Sequence, residues 1–160
     1  MIKKINILIL SMFAIGRSKY APGTVASFIT CLFFITLYDF KINILFLILI
    51  VGFFFIYSVY AIDKFKNYFD EVDSREIVID EFVGQSIPII TAYSLMPNNI
   101  NNFIFYIIVS FFLFRFFDIV KPYPINIIDK NIKNGFGVML DDVVAGIYSS
   151  IILLIVILSI

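Results

Sequence analysis

Long apolar stretches separated by short polar segments dominate this chain. The clearest stretch, residues 42–62, has 21 residues without a charge, close to the ~20 residues that a helix needs to cross a bilayer. Four shorter stretches, some with acidic residues near one end, are further candidates: residues 25–38, 77–96, 103–120 and 143–160. The pattern predicts an all-α protein, a compact multi-helix membrane bundle with about five spanning helices and short interfacial helices.

The first residues look like the beginning of a secretory signal peptide, because Lys3 and Lys4 precede the apolar residues 5–15. However, Arg17 and Lys19 follow, without a good small-residue cleavage pattern before them. We therefore predict that this segment is retained. It is too short to cross the hydrocarbon layer, so we expect it to lie in the interface or to pack as a short helix.

Composition and charge support a membrane protein of one domain over residues 1–160. Hydrophobic residues make up 61% of the chain and charged residues 15%, whereas soluble domains carry about 25% charged residues. The formal net charge is zero, with 12 basic and 12 acidic residues, which argues against a nucleic-acid partner. The single cysteine, Cys31, lies in an apolar stretch and belongs to no spaced set of metal ligands.

The basic residues predict the orientation in the membrane. If the segments after the second and fourth spans face the cytoplasm, ten of the twelve lysine and arginine residues lie on that side. Lys64, Lys66 and Arg75 then form a solvated cluster that attracts anionic lipid. We predict a multi-pass protein of the bacterial inner (cytoplasmic) membrane whose polar chemistry gathers on the cytoplasmic face.

Two acidic pairs, Asp80–Glu81 and Asp141–Asp142, stand at the ends of apolar stretches in a chain without histidine. Any one of these acids could merely cap the amino end of a helix and interact with its dipole. Asp118 is different, because it lies near the carboxyl end of its helix, where a negative charge is unfavourable. Acids beside a bilayer are costly unless a cation or a function holds them. Together they indicate a metal site at the membrane surface.

Neighbouring residues could balance Asp118 or bind an anion. Arg115, three residues before Asp118, and Lys121, three residues after it, are possible ion-pair partners, and a bound cation is the alternative. Residues 21–24 (APGT) are either a tight turn with Thr24 as helix cap or a seat for a phosphate at a helix start. Thr24 and the nearby Lys19 are candidate substrate-binding residues.

Four segments resemble, in order, the signature blocks of the phosphatidylglycerophosphatase A family: residues 21–27 (APGTVAS), 73–84 (DSREIVIDEFVG), 114–125 (FRFFDIVKPYPI) and 135–146 (GFGVMLDDVVAG). The resemblance extends over nearly the whole chain. The chain departs from the family pattern at two positions: Ser74 stands where the family usually has proline, and Ala26 where it usually has glycine. Both affect the stiffness of turns more than the chemistry.

The resemblance implies an Mg²⁺-dependent membrane lipid phosphatase that converts phosphatidylglycerol phosphate to phosphatidylglycerol and inorganic phosphate, a step of phospholipid metabolism. It also implies a helical bundle in which one central helix is surrounded by the others. Carried over residue by residue, the family's basic positions are Arg115 and Lys121, as substrate-binding residues. The acidic set, catalytic and metal-binding, is Asp80, Glu81, Asp118, Asp141 and Asp142.

The residues leave two hydrolytic routes open. A histidine nucleophile is excluded because the chain has no histidine. A cysteine nucleophile would require Cys31 to leave its apolar stretch. A carboxylate cluster suits Mg²⁺, which takes a few carboxylates together with waters and phosphate oxygens. Water activated by the metal, with a carboxylate as base, is one route. Direct attack by an aspartate is the other.

Two other classes of protein would also carry acids on membrane helices. A small cation transporter usually binds its ion near the midplane of the bilayer, whereas Asp80 is the fourth residue of its predicted span, ~5 Å along the helix axis. A noncatalytic membrane assembly subunit has no need for five acids in ordered blocks. The sequence therefore favours the lipid phosphatase over both alternatives.

Overall fold

A computed structural model describes residues 2–68, 74–95 and 100–159. Within these residues the chain forms helices and no strand, as predicted. Short 3₁₀ turns follow α1 (Ile15–Arg17) and α3 (Lys66–Tyr68). The α-helices are α1 (Ile2–Leu10), α2 (Pro22–Asp39), α3 (Ile44–Phe65), α4 (Ile79–Leu95), α5 (Ile100–Val120), α6 (Ile125–Asn131) and α7 (Gly135–Ser159).

Four of these helices, α2, α3, α5 and α7, are long and apolar enough to cross a membrane, so the protein is a multi-pass membrane protein. The remaining predicted span, residues 77–96, forms α4, which has 17 residues and, at 1.5 Å per residue, a length of ~25 Å. The predicted count of about five spans is therefore approximate. Met96, the predicted end of that span, lies outside the described residues.

Helix α4 is the central helix of the bundle and packs against α2, α3, α5 and α7. Most of its residues are buried, including the polar Gln85 and Ser86. Glycines allow a close approach of α4 to α7, because a Cβ atom built on Gly146 would overlap the carbonyl oxygen of Gly84. Small residues at helix contacts are the usual way for membrane helices to pack closely. This arrangement confirms the predicted bundle around one helix.

The contact between Gly146 and Gly84 gives a prediction about stability. Gly146→Ala should destabilise the folded protein by about 1–3 kcal/mol, because the new methyl group meets a backbone oxygen that cannot turn aside. Thermal unfolding in detergent measures this change. Gly52→Ala on α3 is the matched control: a Cβ there has no atom within 4 Å, so its unfolding temperature should not fall. Equal unfolding temperatures for the two variants would contradict the prediction.

Helix α7 begins eight residues before the predicted start of its span. The backbone N–H of Gly135 donates to Asp63 Oδ1 at 2.7 Å, and that of Gly137 donates to Asn134 Oδ1 at 2.9 Å. These bonds satisfy the free N–H groups of the first turn, so the two glycines start a helix here instead of breaking one. Asp141 and Asp142 consequently lie inside α7, and the interpretation that they cap a helix is wrong.

Helix α1 agrees with the short packed helix expected for the first segment, whereas the start of α2 differs from the expectation that Thr24 caps it. Helix α1 is a short helix of nine residues that packs against α3. Helix α2 begins at Pro22, which is favoured in the first turn because it has no N–H to leave unpaired. Ala21 is the residue before the helix, with φ at 40°. Thr24 therefore lies within the first turn of α2 and is not its cap.

Candidate active site

A cavity of about 320 Å³ lies where the amino ends of α2 and α4 meet the carboxyl end of α5 and the second turn of α7. Thr24 lines this cavity, but Lys19 does not: it is exposed, and its Nζ lies 5.5 Å from the centre of the Tyr20 ring. The other predicted site residues that line it are Asp80, Glu81, Arg115, Asp118, Lys121, Asp141 and Asp142.

Glu81, Asp118 and Asp142 form the centre of the site, here called the carboxylate cluster. Each contributes one carboxylate oxygen, and the three oxygens lie within 4.8 Å of one another. They come from α4, α5 and α7. In an octahedral Mg²⁺ site with ligands at about 2.0–2.1 Å, oxygens on opposite sides of the ion are about 4.2 Å apart. The oxygens of the cluster are close to this spacing, so the cluster can hold a metal ion.

Arg115 links two members of the carboxylate cluster. Its Nη1 lies 2.6 Å from Glu81 Oε2 and 2.8 Å from Asp118 Oδ2, so the predicted pairing of Arg115 with Asp118 is present. Ser27 Oγ donates a hydrogen bond to Glu81 Oε2 at 3.1 Å. Because charge-assisted bonds are strong and directional, these contacts fix the Glu81 carboxylate.

Lys121 binds different acids from the one expected. Its Nζ lies 2.8 Å from Asp141 Oδ2 and 3.3 Å from Asp129 Oδ1, and Asp118 is not within ion-pair distance. The backbone of Lys121 is left-handed, with φ at 45°, and turns the chain from α5 towards α6 and α7. Burial acts to lower the pKa of Lys121, but the hydrogen bond from Nζ to Asp141 and the charges of Asp141 and Asp129 raise it above its ordinary value. The ammonium group is thus held protonated at the cavity.

The cavity carries an excess of negative charge. Five carboxylates line it with three cations, Arg75, Arg115 and Lys121, which leaves two negative charges when all are ionised. Asp142 is only 4% exposed, and no lysine or arginine nitrogen among the described residues is within ion-pair distance of its carboxylate. A buried carboxylate without such a partner is costly. A divalent cation would remove this excess.

The sequence did not single out two residues of this site. Ser27 contacts Glu81 because it lies one helical turn after Gly23 on α2, and it belongs to the first signature block. Arg75 was predicted to be part of a solvated basic cluster; it is exposed, yet it lines the cavity together with Ser74. Its position inside the second signature block was the available signal. Asp73 of that block lies outside the described residues.

Carboxylates that can hold a cation, beside an arginine and a lysine that can bind phosphate oxygens, define a membrane-embedded enzyme that acts on phosphate esters. The family model for phosphatidylglycerophosphatase A matches residues 8–157. The chain belongs to the phosphatidylglycerophosphatase A family and is a lipid phosphatase.

Similar proteins occur in several bacteria. Proteins named phosphatidylglycerophosphatase A from Haemophilus influenzae and Escherichia coli are 37% and 31% identical; the matches cover 88% of this chain in both cases, and 81% and 77% of those proteins. A Bacteroides thetaiotaomicron protein with the provisional name phosphatidylinositol-3-phosphatase is 37% identical, over 92% of this chain and 90% of that protein. No solved structure matches the chain.

Proposed function

We propose that this protein hydrolyses phosphatidylglycerol phosphate to phosphatidylglycerol and inorganic phosphate, with Mg²⁺ bound at the carboxylate cluster. The observation that carries the proposal is the convergence of Glu81, Asp118 and Asp142 from three helices, within 4.8 Å of one another. Membership of the phosphatidylglycerophosphatase A family supports the choice of substrate.

The donor set suits Mg²⁺ because it consists of carboxylate oxygens in an open cavity, with room for waters and phosphate oxygens. Glu81, Asp118 and Asp142 would hold the ion, and Asp80 and Asp141 are the sequence neighbours of two of them. When bound, Mg²⁺ would neutralise the charge of the phosphomonoester and lower the pKa of a bound water.

The chain's own groups bind the phosphate and move protons. Arg115 and Lys121 each donate to carboxylates at the cavity, and both retain N–H groups that can bind phosphate oxygens. A carboxylate outside the carboxylate cluster, Asp80 or Asp141, takes the proton of the water that attacks phosphorus. The bond between phosphorus and the glycerol oxygen breaks, and that oxygen takes up one proton, which balances the proton that the carboxylate accepted from water, and leaves as the hydroxyl group of phosphatidylglycerol. In the alternative route an aspartate attacks phosphorus first, and water then hydrolyses the aspartyl phosphate.

The active site belongs, in this proposal, to the cytoplasmic face of the bacterial inner membrane. The amino ends of α2 and α4, the second turn of α7 and the carboxyl end of α5 all border the cavity, so the site lies at one end of the bundle. The distribution of lysine and arginine along the chain supports the cytoplasmic side for that end. A lipid phosphate at the interface reaches these helix ends while its acyl chains stay among apolar helix faces.

The decisive experiment is a phosphate-release assay with purified protein in detergent. Phosphatidylglycerol phosphate should be hydrolysed with Mg²⁺, and EDTA should lower the rate by at least ~100-fold, with recovery on adding Mg²⁺ back. Phosphatidylinositol 3-phosphate serves as the competing substrate, because one relative carries that name. Failure to release phosphate from phosphatidylglycerol phosphate, or a rate unchanged by EDTA, contradicts the proposal. Ion flux into liposomes without phosphate release would instead support a cation transporter.

A further inference from the structure

The three cations of the cavity differ in their partners. Arg115 and Lys121 are each within ion-pair distance of two carboxylates. Arg75 is exposed, and in residues 2–68, 74–95 and 100–159 no carboxylate lies within ion-pair distance of its guanidinium group. Arg75 enters the cavity from the loop before α4, on the wall formed with Ser74, Ile77 and Val78.

The backbone that carries Arg75 is held firmly. The N–H of Ile77 donates to the carbonyl oxygen of Ser74 at 2.8 Å, which closes a turn around Arg75. Ile77 and Val78 are buried, and the N–H of Val78 donates to the carbonyl oxygen of Leu10 at 3.0 Å. Glu76, which directly follows Arg75, forms an ion pair with Arg17 at 3.2 Å. Contacts of the three residues that follow Arg75 thus position this turn beside the cavity.

The proposed substrate carries two phosphate groups. Its phosphomonoester is the group that is cleaved, and its phosphodiester joins the head group to diacylglycerol. A cavity with five carboxylates repels a second anion unless a cation faces it. In the proposed function Arg115 and Lys121 bind the phosphomonoester, so Arg75 is the remaining cation of the cavity among the described residues. Its guanidinium group can bind two oxygens of a phosphate.

We propose that Arg75 binds the phosphodiester of the lipid and is a specificity-determining residue for head groups that carry both phosphates. The inference rests on the proposed function. Phosphatidylglycerol phosphate and phosphatidylinositol 3-phosphate have the same spacing, because a single hydroxyl-bearing carbon separates the carbons that carry the diester and the monoester. Arg75 therefore reads a feature that both lipids share and that phosphatidic acid, which has a monoester and no diester, lacks.

Arg75→Gln tests this role by comparing two lipids in the same micelles. For phosphatidylglycerol phosphate, kcat/KM should fall ~10- to 100-fold, mostly through a higher KM, because the diester does not change during the reaction. Turnover of phosphatidic acid should stay within about 2-fold. Arg75→Lys should recover part of the loss. Lys130→Gln, which removes an exposed cation of α6, is the matched control and should match the wild-type protein.

Product inhibition gives a second measurement that needs no alternative substrate. Phosphatidylglycerol contains only the diester and inorganic phosphate resembles only the monoester, so they report separately on the two positions. Arg75→Gln should weaken inhibition by phosphatidylglycerol ~10-fold or more and leave inhibition by phosphate unchanged. Equal losses for phosphatidylglycerol phosphate and phosphatidic acid, or unchanged inhibition by phosphatidylglycerol, would overturn the role of Arg75. A wild-type protein inactive on phosphatidylglycerol phosphate would contradict the proposed function itself.

Discussion

Asp142→Asn should lower phosphate release from phosphatidylglycerol phosphate by about 10³-fold or more. Asp142 supplies one of the three oxygens of the carboxylate cluster, and an amide is a much weaker ligand for a divalent ion than a carboxylate. Because asparagine has nearly the same shape, the loss should come from the missing charge. Phosphate release at saturating Mg²⁺ measures the effect, and a titration with Mg²⁺ shows whether the ion binds more weakly.

The same substitution should leave the fold intact or make it more stable. Asp142 is buried among acids, and removing its charge reduces their repulsion when no metal is bound. In EDTA, the unfolding temperature of Asp142→Asn should therefore equal or exceed that of the wild-type protein. Loss of activity with equal or higher stability is typical of a residue kept for function.

Asp39→Asn is the control for this pair of measurements. Asp39 is exposed and lies at the opposite end of α2 from the cavity, so its replacement should change neither activity nor stability appreciably. An Asp142→Asn protein that retains a tenth or more of the wild-type rate would exclude Asp142 as a ligand needed for catalysis.

The helices and the types of residue in the site could be predicted from the sequence, because both depend on local patterns. Uncharged stretches of bilayer length predicted α3 directly. The charge of Asp118 at the carboxyl end of α5 predicted a compensating cation, and Arg115 at i−3 supplies it. Such inferences need only the helix repeat and the direction of the helix dipole.

The start of α7 could not be read from local pattern because it depends on distant groups. Glycine is a poor helix former, so the glycines at 135 and 137 do not by themselves predict that a helix begins there. Asp63 at the end of α3 accepts the N–H of Gly135, a contact between residues far apart in the chain. As a result, Asp141 and Asp142 lie inside a helix instead of capping it, and Asp142 belongs to the carboxylate cluster.

The ion-pair partners of Lys121 could not be predicted from the sequence either. Positive φ is rare for lysine, and a chain that simply continued along α5 would carry Lys121 alongside Asp118. The left-handed turn instead brings the ammonium group to Asp129 and Asp141. Only the folded chain shows that the two cations pair with different acids, Arg115 with Glu81 and Lys121 with Asp141.

Gly23→Ala should abolish most of the activity without disturbing the fold. A Cβ atom on Gly23 would overlap Glu81 Oε1 and lie 2.8 Å from Glu81 Cδ, so the carboxylate would have to shift from its position in the carboxylate cluster. The atoms displaced belong to a side chain and not to the backbone, and alanine favours a helix more than glycine does, so the fold should be kept even though the contact between Glu81 and Arg115 is weakened. A displacement of a catalytic group by about 1 Å can cost ~100-fold in rate, and we expect at least that loss of phosphate release.

Gly52→Ala is the matched control, since it makes the same chemical change on a membrane helix with no atom near the new methyl group. Its activity should equal that of the wild-type protein, and its unfolding temperature should be equal or higher. The contrast between the two alanines isolates the position of Glu81, because neither removes a charged or hydrogen-bonding side chain. Full activity of Gly23→Ala would mean that Glu81 does not need its present position for catalysis, and the carboxylate cluster would then not be the catalytic metal site.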